Sequence, residues 1–258
     1  MDSTKRHGSI NSIRSVERAF DLLEALERSR QPMRLTDLGR LTGMPKATVQ
    51  RLLGVLERRG VIDKAQGRYQ IGVGVVPLAH AFLLENPLTK AALPVLQELG
   101  QTSGETVSLF VRLGLNRVLV QRVEGLHPLR YVLPIGQRMP LHVGAGKVLA
   151  AAIPDGELHQ LMDQLSGMRL ATGEPLTRKA LLAELNQVRR QGYAISRSER
   201  VMGVASVTVP VVDPTGATIA ALSVSGLSDR MTSKKLKRFL VELRQAAQAI
   251  ATRYGTVK

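Results

Sequence analysis

Four polar side chains lie within one short stretch of the chain: Lys46, Thr48, Gln50 and Arg51. They offer an ammonium, a hydroxyl, an amide and a guanidinium, and the last two can each form paired hydrogen bonds with the edge of a base. Apolar residues between and beyond them recur at the spacing of one helix face, which would turn the polar groups outward: Val49, Leu52, Leu53 and Leu56. A helix that exposes such groups from its N-terminal half is typical of readers of the DNA major groove.

A second short helix is predicted directly before this one. Thr36 is expected to cap its N-terminus, because a threonine hydroxyl can accept a hydrogen bond from a free amide of the first turn. Gly43 suits the left-handed residue that ends a helix, and Pro45 suits the first turn of the next. One apolar edge of this helix would be formed by Leu35, Leu38 and Leu41. The spacing therefore predicts a helix-turn-helix.

Two short strands are predicted over residues 61–71, on either side of a Gln66-Gly67 turn. A hairpin that directly follows a recognition helix is a wing. Lys64 and Arg68 would lie near its tip, where they could contact phosphates of the DNA backbone.

A first helix from Ser15 to about Glu27 completes the predicted winged helix-turn-helix domain, over residues 13–74. Residues 1–12 are polar and are expected to form a disordered tail. The apolar stripe of the first helix is predicted to consist of Val16, Ala19, Phe20, Leu23 and Leu26.

The remaining residues alternate strands and helices. Residues 75–87 read as a largely apolar linker helix, either buried within one chain or packed on its twin in a dimer. Residues 88–258 contain two antiparallel hairpins, 106–113 with 117–123 and 204–212 with 218–225, flanked by helices. This pattern predicts an α+β domain.

Composition narrows the possible functions. The net charge of +15 favours a polyanionic partner, but residues 1–70 carry only +6 of it. The chain has no cysteine, its five histidines lack metal-ligand spacing, and no apolar run is long enough to cross a membrane. We therefore expect no metal, no cofactor and no membrane partner, and a cytoplasmic protein.

Other functions find little support. The Gly146-Lys147 pair is not a P-loop, because Leu141 and Val148 occupy positions where that motif needs a glycine and a hydroxyl residue. No catalytic constellation is visible, so an enzyme is not expected. Two alternatives stay open: a structural helical hairpin, in which Arg51 pairs with Glu57 or Glu17, and a non-specific architectural DNA binder.

The chain resembles the IclR family of bacterial transcriptional regulators over nearly its whole length. The resemblance rests on ordered matches: residues 15–23 in the first helix, 43–53 in the reader, Tyr69-Gln70-Ile71-Gly72 at the end of the wing, and in the second part Gly104-Glu105-Thr106-Val107, Pro140-Leu141-His142, Gly146-Lys147, Gly192-Tyr193-Ala194, Glu199-Arg200, Gly203-Val204 and Ser223-Val224-Ser225-Gly226. It implies a winged helix-turn-helix joined by a helical linker to an effector-binding domain of GAF/PAS-like α+β fold. It also implies homodimers or homotetramers on palindromic double-stranded DNA operators, acting as repressors or dual regulators.

The resemblance further implies a site for a small organic acid. When the family's motifs are aligned with this sequence, the backbone amides that would bind the acid are those of Gly144 and Ala145. The side chains that would bind it are those of Ser196, Ser206, Ser223 and Ser225. Hydroxyls two apart on a strand share a face, and a glycine lets a ligand approach the backbone. Amides and hydroxyls together would satisfy a carboxylate without a cation. Without the family resemblance, the pattern of these serines favours an ordinary polar strand face over a ligand site.

Two features depart from the family pattern. The loop before Gly146 is one residue shorter than usual, so the alignment of its amides could shift by one. Serine stands at positions 196 and 206, where some members carry an acidic and a thiol side chain. An anionic effector remains compatible with both serines, but its identity stays open.

Overall fold

The computed structural model describes residues 13–29 and 31–256. The predicted tail, residues 1–12, lies outside the described residues. The chain forms two compact units, the first ending at Phe82 and the second beginning at Leu83.

The first unit has the winged helix-turn-helix order of elements: α1 (Arg14–Ser29), β1 (Met33–Arg34), α2 (Leu35–Thr42), α3 (Lys46–Arg58), β2 (Ile62–Ala65) and β3 (Arg68–Ile71). Its three strands form an antiparallel sheet in the order β1-β3-β2. Its core joins the three helices to the wing through buried Leu22, Leu26, Leu38, Val49, Leu53, Ile62 and Tyr69. The predicted domain type is confirmed.

Two details of this unit differ from the sequence predictions. The buried face of α1 carries Leu22 and Leu26, whereas Val16 and Phe20 are 49% and 61% exposed. The helix has apolar residues on two adjacent faces, and the predicted stripe followed partly the wrong one. Thr36 does not cap α2. The pairing of β1 with β3 runs up to Arg34, and α2 starts at Leu35, two residues earlier than a Thr36 cap would allow.

Helix α4 (Val75–Glu85) follows the wing and is mostly apolar, yet none of its residues is buried. The interpretation of this segment as a helix buried within one chain is therefore wrong. The other interpretation, packing on a second copy, stays a prediction.

The second unit contains the remaining elements: α5 (Pro87–Ser103), β4 (Thr106–Leu113), β5 (Asn116–Val123), β6 (Arg138–Pro140), α6 (Gly146–Ala151), α7 (Asp155–Asp163), α8 (Arg178–Gln191), β7 (Ala194–Arg197), β8 (Val204–Val212), β9 (Thr218–Leu227) and α9 (Ser233–Gly255). Its six strands form one antiparallel sheet in the order β6-β5-β4-β9-β8-β7. Both predicted hairpins are present, as β4–β5 and β8–β9.

The two faces of this sheet are covered differently. One face packs against α5 and α9 in a core that includes Val107, Val207, Leu222 and Phe239. The other face meets α6, α7 and α8 through a second apolar cluster that includes Phe110, Leu119, Leu149 and Leu185. The α+β class is confirmed. Part of the second face carries hydroxyl side chains instead of apolar ones, and a cavity lies there.

Candidate functional site

The polar residues of α3 lie toward solvent, as the sequence predicts. Lys46, Gln50 and Arg51 are exposed and Thr48 is half-buried. The helix is held from its other side, where the side chains of Val49 and Leu53 are completely buried. Four of the six predicted DNA contacts therefore share the solvent side or the start of one helix.

The turn before α3 fixes its direction. Gly43 adopts the left-handed conformation, with φ of 65°, and its amide donates to the carbonyl of Gly39. Among the described residues, Arg51 forms no ion pair with Glu17 or Glu57. The pairing that the structural-hairpin alternative required is thus not seen.

The wing is closed by two residues of positive φ, Gln66 at 50° and Gly67 at 74°, the combination required by a type I′ turn. Lys64 lies on one strand of the wing, with its Nζ 5.4 Å from the centre of the Tyr69 ring. Arg68 lies at the start of the other strand and donates a hydrogen bond to the carbonyl of Pro32. Both cations are exposed beside the tip of the hairpin.

A cavity in the second unit brings together all six residues of the predicted acid site: Gly144, Ala145, Ser196, Ser206, Ser223 and Ser225. They come from the loop before α6 and from strands β7, β8 and β9. The volume of the cavity that is open to a water-sized sphere is about 50 Å³. A space of this size holds a few water molecules or a small ligand and excludes a macromolecule.

The register of the sheet explains how the hydroxyls meet. Ser196 lies opposite Ser206, and Ser206 lies opposite Ser225, so three hydroxyl residues form one row across β7, β8 and β9. The next row contains Thr208 opposite Ser223. Directly opposite residues share a face of the sheet, so both rows face the cavity side.

The two rows are not equivalent. The hydroxyl of Ser223 accepts a hydrogen bond from Thr208 Oγ1 at 2.9 Å and donates to the carbonyl of Val207 at 3.3 Å. Ser223 is thereby engaged within the sheet. A ligand would meet the outer row more directly.

The loop before α6 is bonded to a carboxylate of the protein itself. Glu199 Oε2 accepts a hydrogen bond from the amide of Gly144 at 2.8 Å. Glu199 Oε1 accepts from Lys147 Nζ at 2.5 Å, and this buried ammonium also donates to Glu184 at 2.8 Å. The Gly144 amide is thus already occupied, contrary to the expectation that it is open to a ligand.

Arg117 is a cavity residue that the sequence analysis missed. It extends from β5, is only 3% exposed, and lies over the Phe110 ring at 5.3 Å. Burial, and secondly the charge of Arg200, lowers the pKa of Arg117 to about 9, while Glu199 opposes the shift. The guanidinium is still cationic at neutral pH. The predicted amides and hydroxyls therefore have a cation beside them, which the sequence analysis did not expect.

The glycines of the loop make room for this guanidinium. A Cβ on Gly146 would collide with Arg117 Nη1 and with the backbone of Leu141. Gly144 has a φ of 57°, and a Cβ there would lie 3.4 Å from Arg117 Nη2. The Gly144-Ala145-Gly146 stretch thus fits closely around a buried cation.

Two further charged or aromatic groups line the cavity. Arg200 lies with its Cζ 5.6 Å from the centre of the Tyr131 ring. Close to Arg117, burial and then the charge of that guanidinium lower the pKa of His142. The cavity therefore combines two guanidinium groups with hydroxyls and aromatic rings.

The chain belongs to the IclR family of bacterial transcriptional regulators. The family model for the IclR helix-turn-helix domain matches residues 15–65, and the model for the bacterial transcriptional regulator IclR C-terminal domain matches residues 80–252. The chain is a DNA-binding transcriptional regulator of this family.

Individual relatives are similar over almost the whole chain. The HTH-type transcriptional regulator XynR of Escherichia coli is 34% identical over 249 residues, which cover 94% of this chain and 98% of that protein. The HTH-type transcriptional repressor AllR of Escherichia coli is 30% identical, over 93% of this chain and 90% of that protein.

Solved structures share the fold. An IclR family regulator from Brucella abortus superposes with a TM-score of 0.81 at 24% identity, over 98% of this chain and 96% of that one. An IclR homologue from Microbacterium hydrocarbonoxydans, solved with 4-hydroxybenzoate, gives a TM-score of 0.71 at 22% identity, over 94% of this chain and 99% of that one. Within residues 13–29 and 31–256, no three or more His, Cys, Asp or Glu side chains are grouped so that they could hold a metal ion, and no helix is long and apolar enough to cross a membrane.

Proposed function

We propose that this regulator reads a palindromic operator through α3 and that a small organic acid, bound in the cavity of the second unit, controls its affinity for that operator. The observation that carries the proposal is that the six residues implied by the family resemblance line a single cavity, although they come from four separate segments of the chain. Hydroxyls and guanidinium groups together can bind a carboxylate.

The DNA contacts are assigned to the exposed side of α3 and to the wing. Gln50 and Arg51 would contact base edges or phosphates from the major groove, and Lys46 and Thr48 would anchor the start of the helix. Lys64 and Arg68 would contact the backbone beside it. The repressor name of AllR favours repression for this chain as well, and the chromosomal target requires that the protein works in the cytoplasm.

The 4-hydroxybenzoate in the Microbacterium homologue supports an acid as the effector class. The protein acts in this proposal by binding, not by catalysis. A non-specific architectural binder would not need the cavity.

The DNA part of the proposal is tested by selecting fragments from a random library with the purified full-length protein. We expect enrichment of one two-fold symmetric sequence, which random DNA fails to displace at physiological salt. Binding without sequence preference would favour the architectural alternative.

The acid part is tested by screening small acids for release of the selected fragment. Replacement of both Ser223 and Ser225 by alanine should weaken binding of the active acid by about tenfold or more, because each lost hydroxyl contributes ~0.5–1.5 kcal/mol. Operator affinity without the acid should stay unchanged. By linkage, the operator must weaken binding of the acid by the same factor by which the acid weakens operator binding. Full affinity of the double variant for a confirmed effector would place the site elsewhere.

We propose a homodimer or homotetramer as the DNA-bound state. Helix α4 exposes several large apolar side chains, including Val76, Leu78, Phe82 and Leu84, at 44–69%, and a second copy could cover them. Two recognition helices that bind the same face of B-DNA need half-sites whose centres are about 10 bp apart, or a multiple of that distance. Light scattering should show at least a dimer, and a monomer with an asymmetric footprint would contradict the assignment.

A further inference from the structure

We propose that Arg117 is the residue that receives the carboxylate of the ligand, through the edge of its guanidinium formed by Nε and Nη2. The inference deepens the proposed function and rests on it. The family resemblance does not assign Arg117 to ligand binding.

The hydrogen bonds of Arg117 leave one edge of the guanidinium available. Nη1 donates to the carbonyl of Pro140 at 2.7 Å and to that of Val143, which uses both of its hydrogens. Nε is buried and has no partner among the described residues, and no hydrogen bond of Nη2 to them is found. The free pair is the edge that binds a carboxylate with two parallel hydrogen bonds.

Arg117 lines the cavity, and its Nη2 would be 3.4 Å from a Cβ on Gly144, another lining residue. Nε is the more deeply buried atom of this edge. Because Nη1 is fixed to two backbone carbonyls and the group lies over the Phe110 ring, the guanidinium is held in place before any ligand arrives. Such preorganisation lowers the entropic cost of binding.

Within the part of the chain that the structure describes, no carboxylate forms an ion pair with Arg117. Glu199 is the acidic residue that acts on it, but both Glu199 oxygens are bonded elsewhere, to Lys147 and to the Gly144 amide. Arg200 adds a second positive charge nearby. A buried cation without a contacting counter-ion is costly, and a bound anion would remove that cost.

The lining also limits the class of ligand. Next to the guanidinium, the row of Ser196, Ser206 and Ser225 offers hydroxyls rather than further charge. We therefore infer a small monocarboxylate that carries a second oxygen function. Glu199 already accepts the hydrogen bond of the Gly144 amide, and its charge would repel a second carboxylate of the ligand near that loop.

The test uses the full-length protein with ¹⁵N-labelled arginine and follows the Nε–H resonances by NMR at neutral pH. Formate, the smallest carboxylate, and glycolate, which adds a hydroxyl, serve as probes. We expect one Nε–H resonance to shift with saturation, glycolate to bind more tightly than formate, and formamide, the neutral analogue of formate, to have no effect. The shifting resonance should be absent in Arg117→Lys, which should bind both acids about tenfold or more weakly because lysine lacks the planar fork.

The matched control is Arg190→Lys, an exposed arginine of α8, which should leave the titration unchanged. Formate that shifts no Nε–H resonance, or that Arg117→Lys binds as tightly as the unmodified protein, would overturn the proposal. Equal binding of formamide would do the same, because the charge would then be irrelevant. If Arg117→Lys does not fold, Arg200→Lys replaces it, because Arg200 is the other arginine that lines the cavity. The shifting Nε–H resonance should persist in Arg200→Lys, and its loss there would overturn the proposal.

The inference and the proposed function fail separately. An acid that releases the operator equally well from the unmodified protein and from Arg117→Lys would overturn the role of Arg117 and leave the regulator intact. Saturable binding of formate at Arg117 in a protein that selects no DNA would support this inference and remove the proposed function.

Discussion

The two units of the molecule present positive charge to their partners in opposite ways. In the first unit Lys46, Arg51 and Lys64 are exposed and spread over a helix and a wing. In the second, Arg117 is 3% exposed and fixed by two backbone carbonyls. Exposed cations suit a polyanion that the protein contacts at many phosphates. A buried cation suits one small anion that the protein must distinguish from other anions. Net charge alone would not reveal this difference.

The largest expected difference between the two units is the effect of salt concentration on ligand binding. Raising the salt concentration from about 50 to about 200 mM should weaken operator binding by ~10³-fold if about six phosphates are contacted, because bound counter-ions are released on binding. Binding of formate or of an effector in the cavity should change far less, since a buried pair is poorly screened. Fluorescence anisotropy for DNA and calorimetry for the acid measure the two slopes. Equal slopes would show that the two units do not differ in how they present positive charge.

Replacement of one exposed cation of α3 tests whether that side chain contributes to recognition of the operator. Arg51→Ala should cost ~1–3 kcal/mol of operator binding if the side chain contacts a base edge or a well-placed phosphate. The matched control Arg190→Ala removes the same charge from an exposed site in the second unit and should have little effect. A titration that gives full affinity and selectivity for Arg51→Ala would show that α3 is not the reading helix.

The close fit around the buried cation can be tested through the loop glycines. Gly146→Ala should destabilise the protein by ~1–3 kcal/mol, the usual cost of overpacking, because the new methyl group collides with Arg117 Nη1 and with the backbone of Leu141. It should also abolish binding of the acid. The control is Gly156→Ala in α7, where a Cβ meets no atom within 4 Å and alanine favours the helix by up to ~1 kcal/mol.

Thermal or urea unfolding of the two glycine variants gives the comparison. Gly156→Ala should be neutral or slightly more stable than the unmodified protein. Equal stability of the two variants would mean that the loop tolerates displacement of Arg117 and that the cavity is not preorganised.

The smallest effect is expected at the wing. Lys64→Ala should weaken binding of all DNA sequences alike and reduce the salt slope by about one unit, the contribution of one phosphate contact. Affinities measured at several salt concentrations, for operator and for random DNA, provide the test. A loss restricted to the operator would instead assign base reading to Lys64.

The sequence predicted the parts of the molecule that depend on local spacing. The helix-turn-helix, the Gln66-Gly67 turn and both hairpins follow from neighbouring residues, and the structure has them. Arg117 was missed because its role depends on the register of β5 against its neighbours and on a loop far along the chain. One local signal existed, since Arg117 lies two residues before the buried Leu119 and so points to the core side of its strand.

Other errors have the same origin. The buried face of α1 could not be chosen from α1 alone, because it depends on which face α2 and the wing cover. The bond between Glu199 and the Gly144 amide joins residues 55 positions apart, and no sequence spacing indicates it. The serines were found through the family resemblance, and only the pairing of β7, β8 and β9 shows why they meet.

The two outer strands of the large sheet are its shortest. β6 spans Arg138–Pro140 and β7 spans Ala194–Arg197, whereas each of the four inner strands has at least eight residues. An edge strand exposes unpaired backbone groups on which another chain can add a strand, and short edges limit this addition. The sheet therefore offers little backbone for uncontrolled growth from copy to copy, and a protein that must stay dispersed enough to find its operator is protected against strand-by-strand aggregation.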